Sequence, residues 1–468
     1  MASRFGSILA VVATMILACA GVVMAQPNEP DPEQTTGEEL IEPASSLDAG
    51  DVIPNRYIVV LKDDASVLND DVSNAAAVAS ELAQPLGLEV THTYENALNG
   101  FAVRAPDLSL SALDSALSDD DRVDFIAEDR KVQASAQPAP NGIDRVEADQ
   151  SSTKAGDGNS GVVDADVAIL DTGIYNHRDL NRVGGYNCTG KDRKAYGDGN
   201  GHGTHVAGTA AAKDNDTGVV GVAPGARLRA VKVLGKDGSG SVASVICGID
   251  WVTGKAGTIE VANMSLGGIG TDDEDCGRTN NDAMHRAICN SVAEGVTYAV
   301  AAGNDTENFA NTVPAAYDEV LTVTAMSDSD GKPGNDGPSP ACSSSNIDDR
   351  FANFSNYAIP NSSDAEHTIA APGVCIKSTW RGSNKNPKGT YKTKSGTSMA
   401  SPHVAGTAAL CIAFGPCTGT PADVVTRLRS DAAEKSNETT NPYYGFTGDP
   451  KSPLDPRYYG YLDYAGDH

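Results

Sequence analysis

What the chain lacks narrows its chemistry before any motif is read. No C-x-x-C pair occurs, so the usual spacing of a cysteine-bound structural zinc is missing. Positive charge is scarce: 35 Lys and Arg stand against 63 Asp and Glu, and a formal charge of −28 would be repelled by nucleic acid. That surplus of carboxylates gives solubility and suits salt- or calcium-rich surroundings. Beyond Ala25 no apolar run approaches the ~20 residues that a membrane-spanning helix needs. There is no EF-hand loop and no internal repeat.

What is present begins with a leader. Residues 1–25 carry Arg4, then "ILAVVATMILACAGVV", then a small residue at Ala25, the layout of a secretory signal peptide rather than a membrane anchor. A secreted, extracellular and soluble product is expected. Losing Cys19 with the leader leaves an even set of cysteines, which in a secreted chain points to disulfides, with buried free thiols as the alternative. Cys276 with Cys289 and Cys411 with Cys417 are the short-range candidates. With 468 residues, 40% of them hydrophobic, the chain can bury one large core and a smaller one.

Residues 26–50 are rich in Pro, Glu, Asp and Thr without an aliphatic pattern, and are expected to be a disordered leader segment. From 51 to 133, "RYIVVLK", "DVSNAAAVASELAQPLG", "VTHTYENALNGFAVRA", "SLSALDSAL" and "VDFIAEDRKV" read as β-α-β-β-α-β, a small α+β ferredoxin-like unit. The Pro-bearing stretch "QASAQPAPNG" marks a linker, set at residues 134–143. After it, "VDADVAILD", "ARLRAVKVL", "TIEVANMSL", "GVTYAVAAGN" and "EVLTVTAM" are short continuous apolar runs, the pattern of strands buried on both faces. They alternate with helical stretches such as "VASVICGIDWVTG", so residues 144–468 read as an α/β domain on a mostly parallel sheet. Asp328 to Asn353 breaks the rhythm and reads as a long surface loop, with Cys342 as its tether.

Three stretches carry chemistry. Asp171 ends the strand "VAIL" on a tight turn, where a capping role fits equally well; a paired-aspartate peptidase would need a second "DTG", and only one is present. "GHGTHVAGTAAA" sets His202 and His205 at the start of a helix of small residues. A zinc helix would need histidines four apart with an intervening Glu, so the choice there lies between a base and two structural histidines. "SGTSMASPHVAG" offers the hydroxyls of Ser395, Thr397, Ser398 and Ser401, followed by an almost continuously apolar helix with Pro402 expected in its first turn. Ser398 then sits at the amino end, where free N–H groups hold developing negative charge, although capping alone explains a serine there too. Taken together, Asp, His and Ser make an acyl-transfer triad, and their chain order is that of subtilisin rather than of chymotrypsin or the α/β-hydrolases.

"VAILDTGI", "GHGTHVAGT" and "GTSMASPHVAG" closely resemble the three catalytic signatures of the subtilisin-like serine peptidases, and the likeness runs from about Asp164 to the final "YYGYLDYAG". That resemblance implies a three-layer α/β fold with a mostly parallel central sheet, and the roles of Asp171, His202 and Ser398. Between His202 and His205 it is the resemblance that selects. It further implies that Asn304 of "AAGN" donates to the oxyanion, with Ala302 and Gly303 bordering the groove. Gly238, Ser239 and Gly240 of "GSG", and Ser265, Leu266 and Gly267 of "MSLGG", would clamp an extended peptide. Val242, Val245 and Leu266 would line an apolar pocket for the fourth residue before the cut, and Thr312 would lie near the base of the first.

Residues 51–133 resemble the family's propeptide through "YIVVLK" and "ALNGFAV", implying an intramolecular inhibitor removed by a cut between about Val132 and Pro140. "YNCTG" and "AVKVL" incline the chain toward the proteinase K-like branch. The expectation is a secreted, monomeric serine endopeptidase made as a zymogen. It would act on proteins and peptides with broad specificity, without a cofactor for its chemistry and without nucleic-acid or membrane partners. Structural calcium is expected from the family, its ligands unnamed. The alternative is a catalytically silent or permanently inhibited binding protein, which would normally lack a triad member or the oxyanion Asn. A dedicated processing enzyme would need acidic pockets, for which Asp272 to Asp275 are the nearest cluster. Among the N-x-S/T sequons, Asn361 is the expected glycan acceptor and Asn304 is expected to stay bare.

Overall fold

A computed structural model describes residues 52–62, 75–94, 98–130, 137, 139–159, 161–438 and 443–468. The signal-peptide and leader readings, and four of the ten linker residues, fall outside the described residues. The chain divides into two compact units between Gln133 and Ala134.

In the first unit, β1 (Val52–Leu61), α1 (Ala75–Ala83), β2 (Glu89–Tyr94), β3 (Gly100–Arg104), α2 (Leu110–Leu117) and β4 (Val123–Arg130) follow the expected β-α-β-β-α-β order. The strands form one antiparallel sheet in the order β2-β3-β1-β4. Alternation along β1 and β3 sends Val59, Leu61, Phe101 and Val103 to one face, where Val78 of α1 and Leu113 and Leu117 of α2 cover them. Ser109 caps α2 by accepting the Ala112 N–H.

The second unit opens with α3 (Asn141–Arg145). It continues through β5 (Asp166–Asp171), β6 (Arg182–Asn187), α4 (His202–Ala211), β7 (Arg227–Lys232), α5 (Val242–Thr253) and β8 (Val261–Met264). Next come β9 (Gly268–Ile269), α6 (Ala283–Ala293), β10 (Thr297–Ala301), β11 (Thr312–Val313), β12 (Leu321–Ser327) and β13 (Arg350–Phe351). It closes with α7 (Ser363–Glu366), β14 (Thr368–Pro372), β15 (Ile376–Trp380), β16 (Thr390–Lys394), α8 (Thr397–Phe414) and α9 (Pro421–Asn437). The central sheet runs β6-β7-β5-β8-β10-β12, with β14 also on β12; these pairings are parallel, and β13 alone joins antiparallel. The chain first builds β6 and β7 on one side of β5, then returns to lay β8 on the other. In such a sheet the crevice beyond the carboxyl ends, at the strand where the order reverses, is the place for a ligand.

β5 shows why this is a three-layer fold. Val167 and Ile169 pack with Val206 of α4 and Val404 of α8, whereas Ala168 and Leu170 pack with Ile249 of α5 and Ile288 of α6. A strand covered on both faces has no polar side to show, which explains its continuous apolar run. α8 is the central helix: every residue from Met399 to Cys411 is buried. It approaches α4 so closely that a Cβ on Gly406 would lie 2.6 Å from Val222 Cβ and 3.0 Å from the Ala210 carbonyl oxygen.

Disulfides join Cys276 to Cys289 and Cys411 to Cys417, the two pairs expected from spacing, and also Cys188 to Cys247 and Cys342 to Cys375. The Cys342 bridge tethers the long loop after β12. That loop also closes over Arg145, which is fully buried and donates to Asp349 at 2.9 Å and to the carbonyl of Tyr444 at 2.7 Å. Among the sequons, Asn361 is exposed, while Asn263 is fully buried. Among the described residues no helix is long and apolar enough to cross a membrane.

The α8–α4 contact yields a prediction. Gly406→Val overpacks the seam at a cost of about 1–3 kcal/mol. The variant should lose activity faster than the parent on heating; an unchanged inactivation half-life would mean that the seam has slack.

Candidate active site

Asp171 ends β5 at the reversal strand and is fully buried. Its Oδ1 accepts the Thr172 N–H at 2.6 Å, and its two oxygens lie 2.9 and 2.8 Å from Nδ1 of His202, the first residue of α4. A carboxylate so placed holds the proton on Nδ1 and leaves Nε2 as the basic edge. Burial works against the charged imidazole, but the charge and hydrogen bond of Asp171, with the charge of Asp198 behind them, lift its pKa above the ordinary histidine value.

Asp198, which the sequence reading passed over, ties this pair together. Its Oδ1 accepts Thr172 Oγ1 at 2.9 Å and the Asn200 and Gly201 N–H groups at 2.8 Å. Oδ2 accepts Thr204 N–H at 3.0 Å and Thr204 Oγ1 at 2.6 Å, while Thr172 Oγ1 itself accepts the Gly203 N–H at 3.0 Å. One buried carboxylate therefore holds both the turn that carries Asp171 and the helix start that carries His202, where the helix dipole also favours negative charge. His205 faces elsewhere. Fully buried, it sets Nε2 between the Ile376 and Lys392 carbonyls, at 3.1 and 2.9 Å, and burial pushes its pKa down to about 3. It joins α4 to β15 and β16.

Ser398 is the second residue of α8 and is half-buried. Its hydroxyl faces the Ser265 carbonyl at 3.4 Å, and Ser265 Oγ donates to the Ser398 carbonyl at 2.9 Å. Pro402 accounts for the second bond. It lies inside α8, one turn later than expected, and its missing N–H frees the carbonyl four residues back, that of Ser398. Ser265 fills the gap. Asn263 then donates Nδ2 to Ser265 Oγ at 3.0 Å and accepts Ser401 Oγ at 2.8 Å, so the end of β8 is fastened to the start of α8. The other hydroxyls also serve the turn: Ser395 Oγ accepts the Cys375 N–H, and Thr397 Oγ1 accepts the Gly303 N–H.

Asn304 follows β10. Its Oδ1 accepts Thr397 N–H at 2.8 Å and Thr397 Oγ1 at 3.1 Å, which leaves Nδ2 to donate outward. A Cβ on Gly396 would lie 3.8 Å from that Nδ2 and 3.7 Å from the Ser398 nitrogen. Asn304 Oδ1 lies nearer the same point, at 3.5 Å, so what the glycine, with φ of 151°, provides is the close approach of the Asn304 amide to the Ser398 backbone.

A cleft of about 650 Å³ runs past His202 and is lined by Gly238, Ser239, Gly240, Val242, Val245, Ser265, Leu266 and Gly267. Ala302, Gly303 and Thr312 stand beside it. Thr312 Cγ2 would lie 3.4 Å from a Cβ on Gly267 and 3.6 Å from one on Gly303, and Ala302 is buried, its carbonyl held by Asn356 Nδ2 at 3.1 Å. The sequence reading missed Leu234, Ile269, Met284 and Val313 on the cleft wall. Ile269 and Val313 reach it through the short β9–β11 ladder, a pairing without a local signal.

On a doubly wound sheet, a carboxylate-held imidazole lines a cleft whose wall residue Ser265 also faces the helix-tip hydroxyl of Ser398, a layout that suits a serine hydrolase. Comparison with known proteins narrows that class. The Subtilase family model matches residues 163–447, and the Peptidase inhibitor I9 model matches residues 56–135. M-protease of Shouchella clausii (strain KSM-K16) is 38% identical over 342 residues, spanning 73% of this chain and 75% of that protein. The extracellular serine proteinase of Thermus sp. (strain Rt41A) is 36% identical over 409 residues, 82% of this chain and 87% of that one. A solved cold adapted subtilisin-like serine proteinase superposes with a TM-score of 0.50 at 30% identity, covering 70% of this chain and 98% of that chain. The chain belongs to the subtilase family. It is a serine endopeptidase built as a zymogen with an I9-type propeptide.

The Asp198 clamp predicts a separable effect. Asp198→Asn should lower kcat by about 10²-fold, the scale of a misplacement near 1 Å, with KM nearly unchanged. Steady-state kinetics showing unaltered kcat would remove Asp198 from the positioning of His202.

Proposed function

We propose that Ser398 is the nucleophile, His202 its general base and acid, Asp171 the group that orients His202, and Asn304 an oxyanion donor. The carrying observation is the 2.8 Å contact of His202 Nδ1 with Asp171, at the sheet's reversal strand and beside the cleft. Ser398 Oγ turns from the Ser265 carbonyl and attacks the scissile carbonyl carbon as His202 Nε2 takes its proton. The oxyanion is held by Asn304 Nδ2 and the Ser398 N–H. Collapse breaks the C–N bond, and His202 returns the proton to the leaving amine. Water then repeats the sequence on the acyl-enzyme, releasing the acid and restoring the hydroxyl.

The substrate lies extended between Gly238–Gly240 and Ser265–Gly267, held mainly through its backbone, which gives broad specificity. Val242, Val245 and Leu266 take an apolar side chain at the fourth position before the cut. Ala302 and Gly303 wall the first pocket, and Thr312 at its base disfavours very large side chains.

The enzyme is secreted through residues 1–25 and acts outside the cell as a monomer; 26–50 is a leader and 51–133 the inhibitory propeptide. Maturation cuts within the start of 134–143, ahead of the 144–468 body. Gln137 supports a bond N-terminal to itself, because it is 2% exposed, donates to the Thr217 carbonyl at 2.7 Å and accepts the Asn215 N–H at 3.0 Å. "YNCTG" and "AVKVL" support the proteinase K-like branch.

The same corner suits structural calcium. Asp179 is fully buried and burial pushes its carboxyl pKa up; Asn215 Nδ2 donates to its Oδ1 at 2.9 Å and Gln137 Oε1 accepts the Asn215 N–H at 3.0 Å, so turning the Asn215 amide over would add a third hard oxygen to those of Asp179 and Gln137. Chelation, or Asp179→Ala, should shorten the half-life of activity at elevated temperature, and added calcium should restore it only in the parent. Equal half-lives with and without chelator would contradict this assignment.

A fluorophosphonate probe should label the matured protein once, at Ser398, and not label Ser398→Ala or His202→Ala. Labelling elsewhere would refute the nucleophile. Asn304→Ala should cost about 10²–10³ in kcat. Because the base must be neutral and its pKa is raised, kcat/KM should climb with pH through a pKa above about 6.5, the ordinary histidine value. Asp171→Asn should move that limb downward; a limb that stays put would separate Asp171 from the base.

A further inference from the structure

The segment between β9 and α6 carries side chains that the peptidase chemistry does not use. His285, in the first turn of α6, is fully buried and stacks on Tyr317 with ring centroids 4.1 Å apart. Its Nε2 lies 2.9 Å from Oε2 of Glu319. Its Nδ1 is buried without a hydrogen-bond partner and points at two carboxylates, with Asp273 Oδ1 at 3.2 Å and Asp272 Oδ1 at 3.5 Å.

This is an electrostatic conflict unless a cation stands there. With the Nε2 proton given to Glu319, the Nδ1 lone pair would face two anionic oxygens at 3.2 and 3.5 Å. The ligand atoms of Asp272, Asp273 and His285 all lie within 4.8 Å of one another. We propose that these three residues form a divalent-metal site of the zinc class, with one imidazole nitrogen and two carboxylate oxygens as protein ligands. Glu319 has the place of the carboxylate that commonly orients a metal-bound histidine through its other ring nitrogen.

The carboxylates are held ready for such an ion. Asp273 accepts the Gly277 and Thr279 N–H groups at 2.8 Å, and Asp272 accepts the Glu274 N–H at 2.8 Å. The Cys276–Cys289 bridge ties their loop to α6; its sulfurs, being paired, are not thiolate ligands. The site adjoins the cleft through Met284, so a bound ion would brace one cleft wall. A proton on Nδ1 is the competing cation, and the nearby carboxylates do raise the His285 pKa against the effect of burial.

The test uses the full chain in a Ser398→Ala background, to stop self-digestion, in buffer holding calcium. Zn²⁺ is added to metal-stripped protein and followed by titration calorimetry, with Co²⁺ absorption as a second readout. Expected are a site lost in His285→Gln, weakened at least about 10-fold in Asp272→Asn, and weakened about 10–100-fold in Glu319→Gln. Zn²⁺ should also raise the melting temperature of the parent and not of His285→Gln. Asp272 is the partly exposed ligand, so its variant keeps the test open should His285→Gln fail to fold. Absence of Zn²⁺ binding, or equal binding in the parent and Asp272→Asn, would overturn the proposal and leave an imidazolium held by three carboxylates.

Discussion

The structure depends on a buried carboxylate meeting an imidazole at the one place where the parallel sheet reverses its order. Asp171 can stand there because β5 is apolar on both faces and delivers its last residue to the carboxyl edge of the sheet. An unpaired buried carboxylate would be costly; here it has the Thr172 N–H and the His202 ring. Asp198 extends the same logic, drawing five donors from two segments so that strand end and helix start move as one.

A second constraint acts on the helix that carries Ser398. The central helix α8 must bury its whole surface and still present an open amino end. Small residues solve the first problem, with Gly406 letting α8 sit against α4. Pro402 contributes to the second: by removing one helical hydrogen bond it hands the Ser398 carbonyl to Ser265, and through Asn263 and Ser401 the helix tip is fixed to β8. The position of Ser398 is thus set by the end of β8, whose continuation from Ser265 to Gly267 forms one wall of the cleft.

Much of this was legible because the chemistry sits in local signals. A continuous apolar run ending in Asp, a helix of small residues opening with His, and a Gly-bounded hydroxyl before a buried helix each declare an element and a group at its end. The propeptide order β-α-β-β-α-β was readable for the same reason, strand and helix periods alternating within a short span. What stayed hidden is non-local. His202 and His205 differ only in what lies opposite them, a carboxylate for one and two carbonyls for the other. The support given by Asp198, the hold of Asn356 on the Ala302 carbonyl and the β9–β11 ladder join segments whose spacing carries no pattern. Pro402 lies past the first turn although the helix start was placed within one residue, because it follows Ser398 by four positions and so falls where a helical N–H is already needed.

The central claim is that Ser398 and His202 act as one device, aimed by Asp171, and not as separate contributors. Kinetics of the single variants Ser398→Ala and His202→Ala, set beside the double variant with all three matured in trans, address it directly. If the side chains form one unit, the double variant should be no slower than the worse single one. Losses that multiply would show two independent contributions and contradict the account.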